Sequence, residues 1–355
     1  MRDRIRKLRV FSIFFLIFVT SVISFSKVIT FSFVGDVMFH TPILSYAKNG
    51  DSYDFKPIFA HVKGIIEKAD VAFCNLETTL GGTPYAGYPR FSSPDEVVDA
   101  LIYTGFDVVN VANNHMIDKG WKGLKHTIEK IRESGLASVG GRLSKSEKKY
   151  TLINVDGVSV AFASFTYATN GLTVTKEYAY MFDYIDEGLI AQTVKEMRKV
   201  SDIVIVHLHF GQEHMTKPSD VQRKIATLCI DNGADMVIGT HPHVLQSVEF
   251  VEKDGKQKMI AYSLGNFLSN MVQKNTDAGV ILNVTYDTSK GVIDINPITT
   301  WCHRYTKDGK LSFRVIPVET FLKNPDKLLT KEDIARLKEI AAQTKMFFPV
   351  ISERM

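Results

Sequence analysis

The stretch of sequence that decides the fold is Met236-Val-Ile-Gly-Thr-His-Pro-His243. Its apolar run has the length of a buried strand, ends at Gly239 and places His241 and His243 on a loop. Imidazole is the commonest protein ligand for transition metals, and it also carries protons near neutral pH. Because a lone histidine pair is more often structural than metal-binding, its meaning depends on the residues that follow the other predicted strands.

Four other apolar runs also end in polar residues. These runs and the polar residues after them are 28–34 with Asp36, 71–74 with Glu77, 108–112 with Asn114 and His115, and 203–206 with His207 and His209. Segments with helical spacing intervene at 55–68, 93–103, 121–134 and 218–231. Strands that alternate with helices predict a mainly parallel sheet with helices on both faces. Functional groups gather at the carboxyl ends of such strands, so we expect these side chains to converge.

The N-terminus has the pattern of an export signal. Five basic residues between positions 2 and 9 precede an uncharged run over residues 10–26 that is rich in Phe, Ile and Leu. Ser24-Phe-Ser26 supplies a small-x-small cleavage pattern. We therefore expect export to the cell surface or periplasm, with segment 1–26 either cleaved or kept as a membrane anchor. The run is short for a bilayer span, which favours cleavage.

Charge and cysteine content limit the possible partners. The formal net charge is +4, and residues 1–26 contribute five basic side chains and one acidic one, which is also +4. The remaining chain is therefore near neutral, and its charge does not indicate nucleic-acid binding. Three widely spaced cysteines form neither a disulfide framework nor a Cys-x-x-Cys zinc motif.

The polar residues at the predicted strand ends make a mixed oxygen and nitrogen ligand set. Its members are Asp36, Glu77, Asn114, His209, His241 and His243. Such a set suits Mn, Fe or Zn rather than calcium, and it is large enough for two metals that share a carboxylate. Two metals about 3.5–4 Å apart acidify a bridging water, and His115 is then placed to protonate a leaving group. His207 is left out because we expect it to point to the face opposite His209.

Seven short motifs occur in an order that resembles a known family. They are Gly35-Asp-Val-Met38, Asn75-Leu-Glu77, Gly105-Phe-Asp107, Ala112-Asn-Asn-His115, His209-Phe-Gly-Gln-Glu213, His241-Pro-His-Val-Leu-Gln246 and Tyr262-Ser-Leu-Gly-Asn-Phe267. Together they resemble the CapA (poly-γ-glutamate capsule synthesis protein) family, which is similar to the calcineurin-like metallophosphoesterases. The resemblance covers residues 29–270 approximately.

The resemblance implies a role for each predicted ligand. It implies Asp36 and His243 on one metal, Asn114, His209 and His241 on the other, Glu77 between them, and His115 as general acid. The sequence departs from the wider phosphoesterase pattern in two places. Met38 stands where those proteins usually have a histidine ligand, and His40 lies two residues beyond that position. Asn75-Leu-Glu77 replaces the motif that carries the bridging aspartate. The first metal position therefore has one ligand fewer than in related phosphoesterases.

Three further residues are candidates with alternatives left open. Asp118 either orients His115 or begins the next helix. Arg90 either binds an anionic substrate through bidentate hydrogen bonds or forms a surface salt bridge. Glu213 is a candidate base, substrate contact or partner of a ligand.

The predicted fold is an α/β protein with a metallophosphoesterase-like layered sandwich over residues 27–300. Strand-like segments at 279–286, 292–298 and 311–317 predict a later antiparallel part, and the segment 331–343 predicts a terminal amphipathic helix. Residues 301–355 are assigned to a C-terminal extension that packs on this domain. The first functional hypothesis is a hydrolase or transferase with two divalent metals and a bridging hydroxide, acting on a phosphoester or on the amide of an anionic poly-γ-glutamate-like polymer. A generic nucleotidase is a third hypothesis, which the complete set of capsule-type motifs disfavours. The alternative is a non-enzymatic accessory protein that binds or exports a poly-γ-glutamate-like polymer, with membrane-bound capsule synthesis proteins as partners.

Overall fold

The structure, a computed structural model, describes residues 26–348. The segment interpreted as a signal peptide or anchor therefore lies outside the described residues, apart from Ser26. Within residues 26–348, every helix is too short or too polar to cross a lipid bilayer.

Strands and helices alternate through most of the chain, as the sequence pattern predicts. The strands are β1 (Val28–Val37), β2 (Lys48–Asn49), β3 (Ser52–Tyr53), β4 (Val71–Leu76), β5 (Val108–Asn110), β6 (Ala137–Val139), β7 (Tyr150–Val155), β8 (Val158–Thr166), β9 (Ile203–His209), β10 (Met236–Thr240), β11 (Val248–Lys253), β12 (Lys256–Ala261), β13 (Asn266–Leu268), β14 (Ala278–Asp287), β15 (Gly291–Lys307) and β16 (Lys310–Pro317). The α-helices are α1 (Thr41–Ala47), α2 (Lys56–Ile66), α3 (Glu96–Thr104), α4 (Gly120–Glu133), α5 (Glu187–Arg198), α6 (Asp220–Asp231), α7 (Val318–Lys323) and α8 (Lys331–Phe347).

The main sheet consists of two half-sheets. The first has the order β6-β5-β4-β1-β14-β15-β16, and the second has the order β7-β8-β9-β10-β12-β11. A single residue pair, Gln257 with Gly291, joins β12 to β15 and makes the two halves continuous. Neighbouring strands from β6 to β1 and from β8 to β12 are parallel, whereas the hairpins at the margins are antiparallel.

The two half-sheets pack face to face. Phe73 of β4 and Phe162 of β8 stack across the interface, with ring centroids 6.1 Å apart and an interplanar angle of 6°. Burial of each such ring stabilises the fold by about 2 kcal/mol. The outer face of the first half-sheet is covered by α1–α4, and that of the second by α5 and α6. The result is a helix–sheet–sheet–helix sandwich, which confirms the predicted fold class.

An aspartate stands before four of the parallel strands and sets their register. Each carboxylate accepts a hydrogen bond of 2.8 Å from a backbone N–H of the neighbouring strand. The pairs are Asp70 with Thr30, Asp107 with Ala72, Asp202 with Ser159 and Asp235 with Val204. These bonds extend the strand ladders at the amino ends of the strands, opposite the edge where the candidate ligands lie.

Some element boundaries differ from the predicted ones. Strands β1 and β4 run further than the apolar pattern suggests, so Asp36 lies within β1 rather than after it. Helix α6 begins at Asp220, because Ser219 caps it and Gln222 completes a capping box. Pro218 therefore precedes the helix instead of occupying its first turn. The boundary expected at residue 300 falls inside β15, which pairs with both β14 and β16.

Candidate metal centre

The six predicted ligands meet at the carboxyl edge of the parallel strands. Their exposed fractions are 4% or less, and they are Asp36, Glu77, Asn114, His209, His241 and His243. Each lies at or just after the end of β1, β4, β5, β9 or β10. The strands from both half-sheets open onto one site, which brings together residues more than two hundred positions apart.

One group of possible ligands combines Asp36, Glu77 and His243. Ligand atoms of these three residues lie within 4.8 Å of one another. His243 Nδ1 is 3.1 Å from Asp36 Oδ2, and Asn75 donates a 2.7 Å hydrogen bond to Asp36 Oδ1. Burial acts to raise the pKa of Asp36, but the hydrogen bonds from His243 and Asn75 and the charge of His243 hold it below its ordinary value.

A second group combines Glu77, His209 and His241, again with ligand atoms within 4.8 Å of one another. His209 Nε2 lies 3.6 Å from Glu77 Oε1 and 2.8 Å from the amide oxygen of Asn114. Burial and the neighbouring histidines lower the pKa of His209 well below its ordinary value, and burial with the charge of His243 lowers that of His241 to about 3. Both imidazoles are therefore neutral near pH 7, which is the form that binds a metal.

Glu77 belongs to both groups and has the most unusual surroundings. It is completely buried, and neither of its carboxylate oxygens has a hydrogen-bond partner within residues 26–348. Burial and the adjacent charge of Asp36 raise its pKa well above the ordinary value. An unpartnered buried carboxylate is costly, and a bound cation removes that cost. His241 Nδ1 is also buried and has no hydrogen-bond partner in the described part of the chain. The residues present therefore fit a bound divalent cation, and Glu77 belongs to two of the groups that could hold one.

A histidine–aspartate pair lies beside the ligands. His115 Nδ1 is 2.7 Å from Asp118 Oδ2, which also accepts a 2.8 Å hydrogen bond from the backbone N–H of Phe91. Arg90 Nη1 lies 3.5 Å from the other oxygen of Asp118. Lys119 is the cap residue of α4, so Asp118 contacts His115 instead of capping the helix. Arg90 makes the salt bridge that was one of its two alternatives, although its partner is buried.

Residues of the segment between β8 and α5 reach the site and were not among the predicted residues. Asn170 Oδ1 accepts a 3.1 Å hydrogen bond from Asn114 Nδ2, and Asn170 Nδ2 lies 3.3 and 3.4 Å from the ring nitrogens of His115. The ring of Tyr167 covers that of His241, with centroids 4.4 Å apart. The only sequence signal for these contacts is the unusual length of this irregular segment.

The expectation that His207 faces away from His209 is wrong. Residues two positions apart on a strand share a face, and both rings reach the hydroxyl of Thr240, at 2.9 Å from His207 Nε2 and 2.8 Å from His209 Nδ1. His207 Nδ1 is also 2.8 Å from the hydroxyl of Ser164. His207 thus supports the site from beneath, with both ring nitrogens engaged.

Two further features of the site are the residue at position 38 and the loop that follows β9. Met38 is buried, and His40 stays outside the ligand groups, its Nδ1 accepting a 3.3 Å hydrogen bond from the backbone N–H of Asn270. The group around Asp36 therefore has three residues. Glu213 is exposed and forms a further group with His241 and His243, whose ligand atoms lie within 4.8 Å of its own.

The sandwich and the ligands at its strand ends define the metallophosphoesterase fold class. The solved structure of Haemophilus influenzae NAD nucleotidase has this fold: its TM-score is 0.51 at 12% identity, over 91% of this chain and 64% of that one. At such identity the likeness concerns the fold alone.

The family is also shown. Residues 30–271 match the family described as bacterial capsule synthesis protein PGA_cap, and the chain belongs to this family. The chain is 33% identical over 282 residues to the capsule biosynthesis protein CapA of Bacillus anthracis, covering 76% of this chain and 67% of the relative. It is 31% identical over 282 residues to the PGA biosynthesis protein CapA of Bacillus subtilis, covering 76% and 71%. The resemblance inferred from the motifs is therefore confirmed.

Proposed function

We propose that this protein is an exported, metal-dependent hydrolase of the cell envelope that acts in capsule polymer synthesis. The observation that carries the proposal is Glu77, a buried carboxylate that belongs to two groups of ligands and whose oxygens have no hydrogen-bond partner among residues 26–348. A purely structural core has no reason to keep such a group, because an apolar residue would avoid the cost of burying it. The names of the Bacillus relatives support the connection with capsule polymer synthesis.

The ligand set supports two proposed metal positions. Asp36, Glu77 and His243 would hold one divalent ion, and Glu77, His209 and His241 would hold the other, with the amide oxygen of Asn114 beside His209. The mixed oxygen and nitrogen donors favour Mn, Fe or Zn. When bound, two such ions supply Lewis acidity and lower the pKa of water into the neutral range.

His115 is the proposed general acid. Asp118 engages Nδ1 of the ring, and Nε2, which lies 3.4 Å from Asn170 Nδ2, would donate a proton to the leaving group. Phe91 holds the ring edge to face, with centroids 4.7 Å apart, so the imidazole has little freedom to turn. Asp118 is thus a positioning residue for the proton donor.

The proposed substrate is a phosphoester or an anionic poly-γ-glutamate-like polymer. Arg90 lies beside the His115–Asp118 pair, and its side chain is 42% exposed although Nη1 is buried. We propose that this side chain binds the anionic group of the substrate. The N-terminal pattern supports action at the cell surface or in the periplasm, with segment 1–26 cleaved or kept as an anchor and with membrane-bound capsule synthesis proteins as partners.

A second candidate is an accessory protein that binds or exports the polymer without hydrolysing it. The observation that favours it is the group around Asp36, which holds three residues, because the position of a usual histidine ligand is taken by the buried, non-ionisable Met38. A weakly held metal at this position would leave the centre unable to activate water.

Turnover separates the two candidates. The purified full-length chain is loaded with Mn²⁺ and assayed with bis-(p-nitrophenyl) phosphate and with poly-γ-glutamate, beside His241→Ala and the exposed-histidine control His126→Ala. A hydrolase loses turnover in His241→Ala and keeps it in His126→Ala. If neither compound is hydrolysed with Mn²⁺, Fe²⁺ or Zn²⁺ while the polymer still binds, the accessory function replaces the hydrolase.

A further inference from the structure

Glu213 differs from every other member of the ligand groups. Within residues 26–348, three groups of His, Cys, Asp or Glu side chains have metal-ligand spacing, and Glu213 is the only exposed residue in them. It has no hydrogen bond or ion pair with any described residue. Its carboxylate is therefore accessible to a cation in solvent, whereas the other members of the groups are buried.

The loop that carries Glu213 is held in place against the site. The backbone N–H of His214 donates a 2.8 Å hydrogen bond to the carbonyl of Pro242, between the two ligand histidines. Gln246 Nε2 donates a 2.7 Å hydrogen bond to the carbonyl of Met215. Gly211, with φ +108°, lets the chain turn against the side chain of Gln222. The position of Glu213 near the histidines is thus built into the fold.

The Glu213 group shares both imidazoles with the two buried groups. His241 also belongs to the group with Glu77 and His209, and His243 to the group with Asp36 and Glu77. His243 Nδ1 is engaged by Asp36 and Asn266 at 3.1 and 3.0 Å, which leaves Nε2, 3.9 Å from Glu77 Oε1, as its open nitrogen. One nitrogen binds one cation at a time, so a cation beside Glu213 precedes the buried cation rather than adding to it.

We propose that Glu213, His241 and His243 form an entry position that captures a divalent cation and passes it to the buried ligands. This inference rests on the metal centre of the proposed function. Capture at this entry position lets the hydrated ion exchange water for protein ligands in steps. A carboxylate and an imidazole replace part of the ion's hydration before the ion enters the buried site. Glu213 is then a ligand during loading and is free once both buried positions are filled.

The test measures the rate of metal uptake, with no substrate present. Metal-free full-length chain is mixed with Mn²⁺, and the loss of the free-ion signal is followed by rapid-quench electron paramagnetic resonance. Glu213→Gln removes the charge with little change in shape, Glu213→Asp keeps the charge, and Glu252→Gln makes the same charge change at an exposed residue of β11. Circular dichroism checks that all the chains are folded.

The entry position predicts a change in rate without a change in amount. Glu213→Gln takes up Mn²⁺ about tenfold more slowly than wild type, because the electrostatic attraction that steers a cation to the entry position is lost. Its final metal content equals that of wild type, while Glu213→Asp recovers most of the rate and Glu252→Gln is unchanged.

Two results would overturn the entry position and leave the metal centre standing. One is uptake by Glu213→Gln at the wild-type rate. The other is a final content one metal lower in Glu213→Gln, which would make Glu213 a resident ligand. Wild-type chain that takes up no Mn²⁺ at all would overturn the metal centre and the entry position together.

Discussion

Replacing Glu77 with Gln should change stability in opposite directions with and without metal. In the metal-free protein, Glu77 is completely buried, lacks hydrogen-bond partners within residues 26–348 and lies beside Asp36. Burying the charge of Glu77 beside Asp36 without compensation costs about 1–3 kcal/mol, and Glu77→Gln removes that charge, so it should stabilise the metal-free chain by that order. With metal at a hundredfold excess over Kd, the wild type gains about 2.7 kcal/mol per site, and the variant loses most of this gain.

The pH dependence follows from the raised pKa of Glu77. A carboxyl group whose folded pKa lies above its unfolded value contributes stability that is full below the unfolded pKa of 4.5 and is lost as pH rises through the folded pKa. The Gln variant has no such loss. Its advantage over the metal-free wild type should therefore be absent below pH 4.5 and grow towards pH 8.

Thermal unfolding measures both effects. Wild type, Glu77→Gln and the exposed control Glu252→Gln are melted in EDTA and in saturating Mn²⁺ at several pH values. In EDTA at pH 8 we expect Glu77→Gln to melt a few degrees above wild type, and in Mn²⁺ several degrees below it. A variant that is less stable than wild type in EDTA, or equally stabilised by Mn²⁺, refutes the reasoning about this carboxylate.

Two further substitutions test the His115–Asp118 pair and the buried ion pairs of Asp235. Asp118→Asn should lower turnover about 10²–10⁴-fold at unchanged metal content, because His115 loses the acceptor that fixes its tautomer; unchanged turnover, or loss of metal, would contradict the assignment. Asp235→Ala should lower the free energy of unfolding, measured in urea, by about 3–5 kcal/mol, because the buried Lys258 and the half-buried Arg198 both lose their ion-pair partner. A loss below about 1 kcal/mol would show that these two ion pairs are dispensable for stability.

Much of the centre could be predicted because its geometry follows from local patterns. Each ligand comes at or just after the end of a strand that the apolar runs already indicate, and parallel strands bring those ends to one edge. Asp36, Glu77 and His241 are therefore predictable together without knowledge of the packing. Residues two positions apart on a strand share a face, so the strand period places His207 on the same side as His209, contrary to expectation.

The contacts made by loops were not predictable. Asn170 and Tyr167 lie on an irregular segment whose path depends on how it packs over both half-sheets, and no periodicity encodes that path. The sequence indicates Glu213 as a candidate, but the closeness of Glu213 to two ligand histidines depends on the turn at Gly211 and the hydrogen bond from His214 to the loop after β10. The residues that support the ligands from behind, such as Thr240, carried no distinctive signal.

The most direct test of the account is the number and position of the metals. Crystals of the full-length chain grown with Mn²⁺ are measured at the manganese absorption edge, and the metal content of the same preparation is determined by mass spectrometry. The account predicts two anomalous peaks on either side of the Glu77 carboxylate and two metals per chain, with both lost in Glu77→Gln. No peak at Glu77, or a single peak that survives Glu77→Gln, would contradict it.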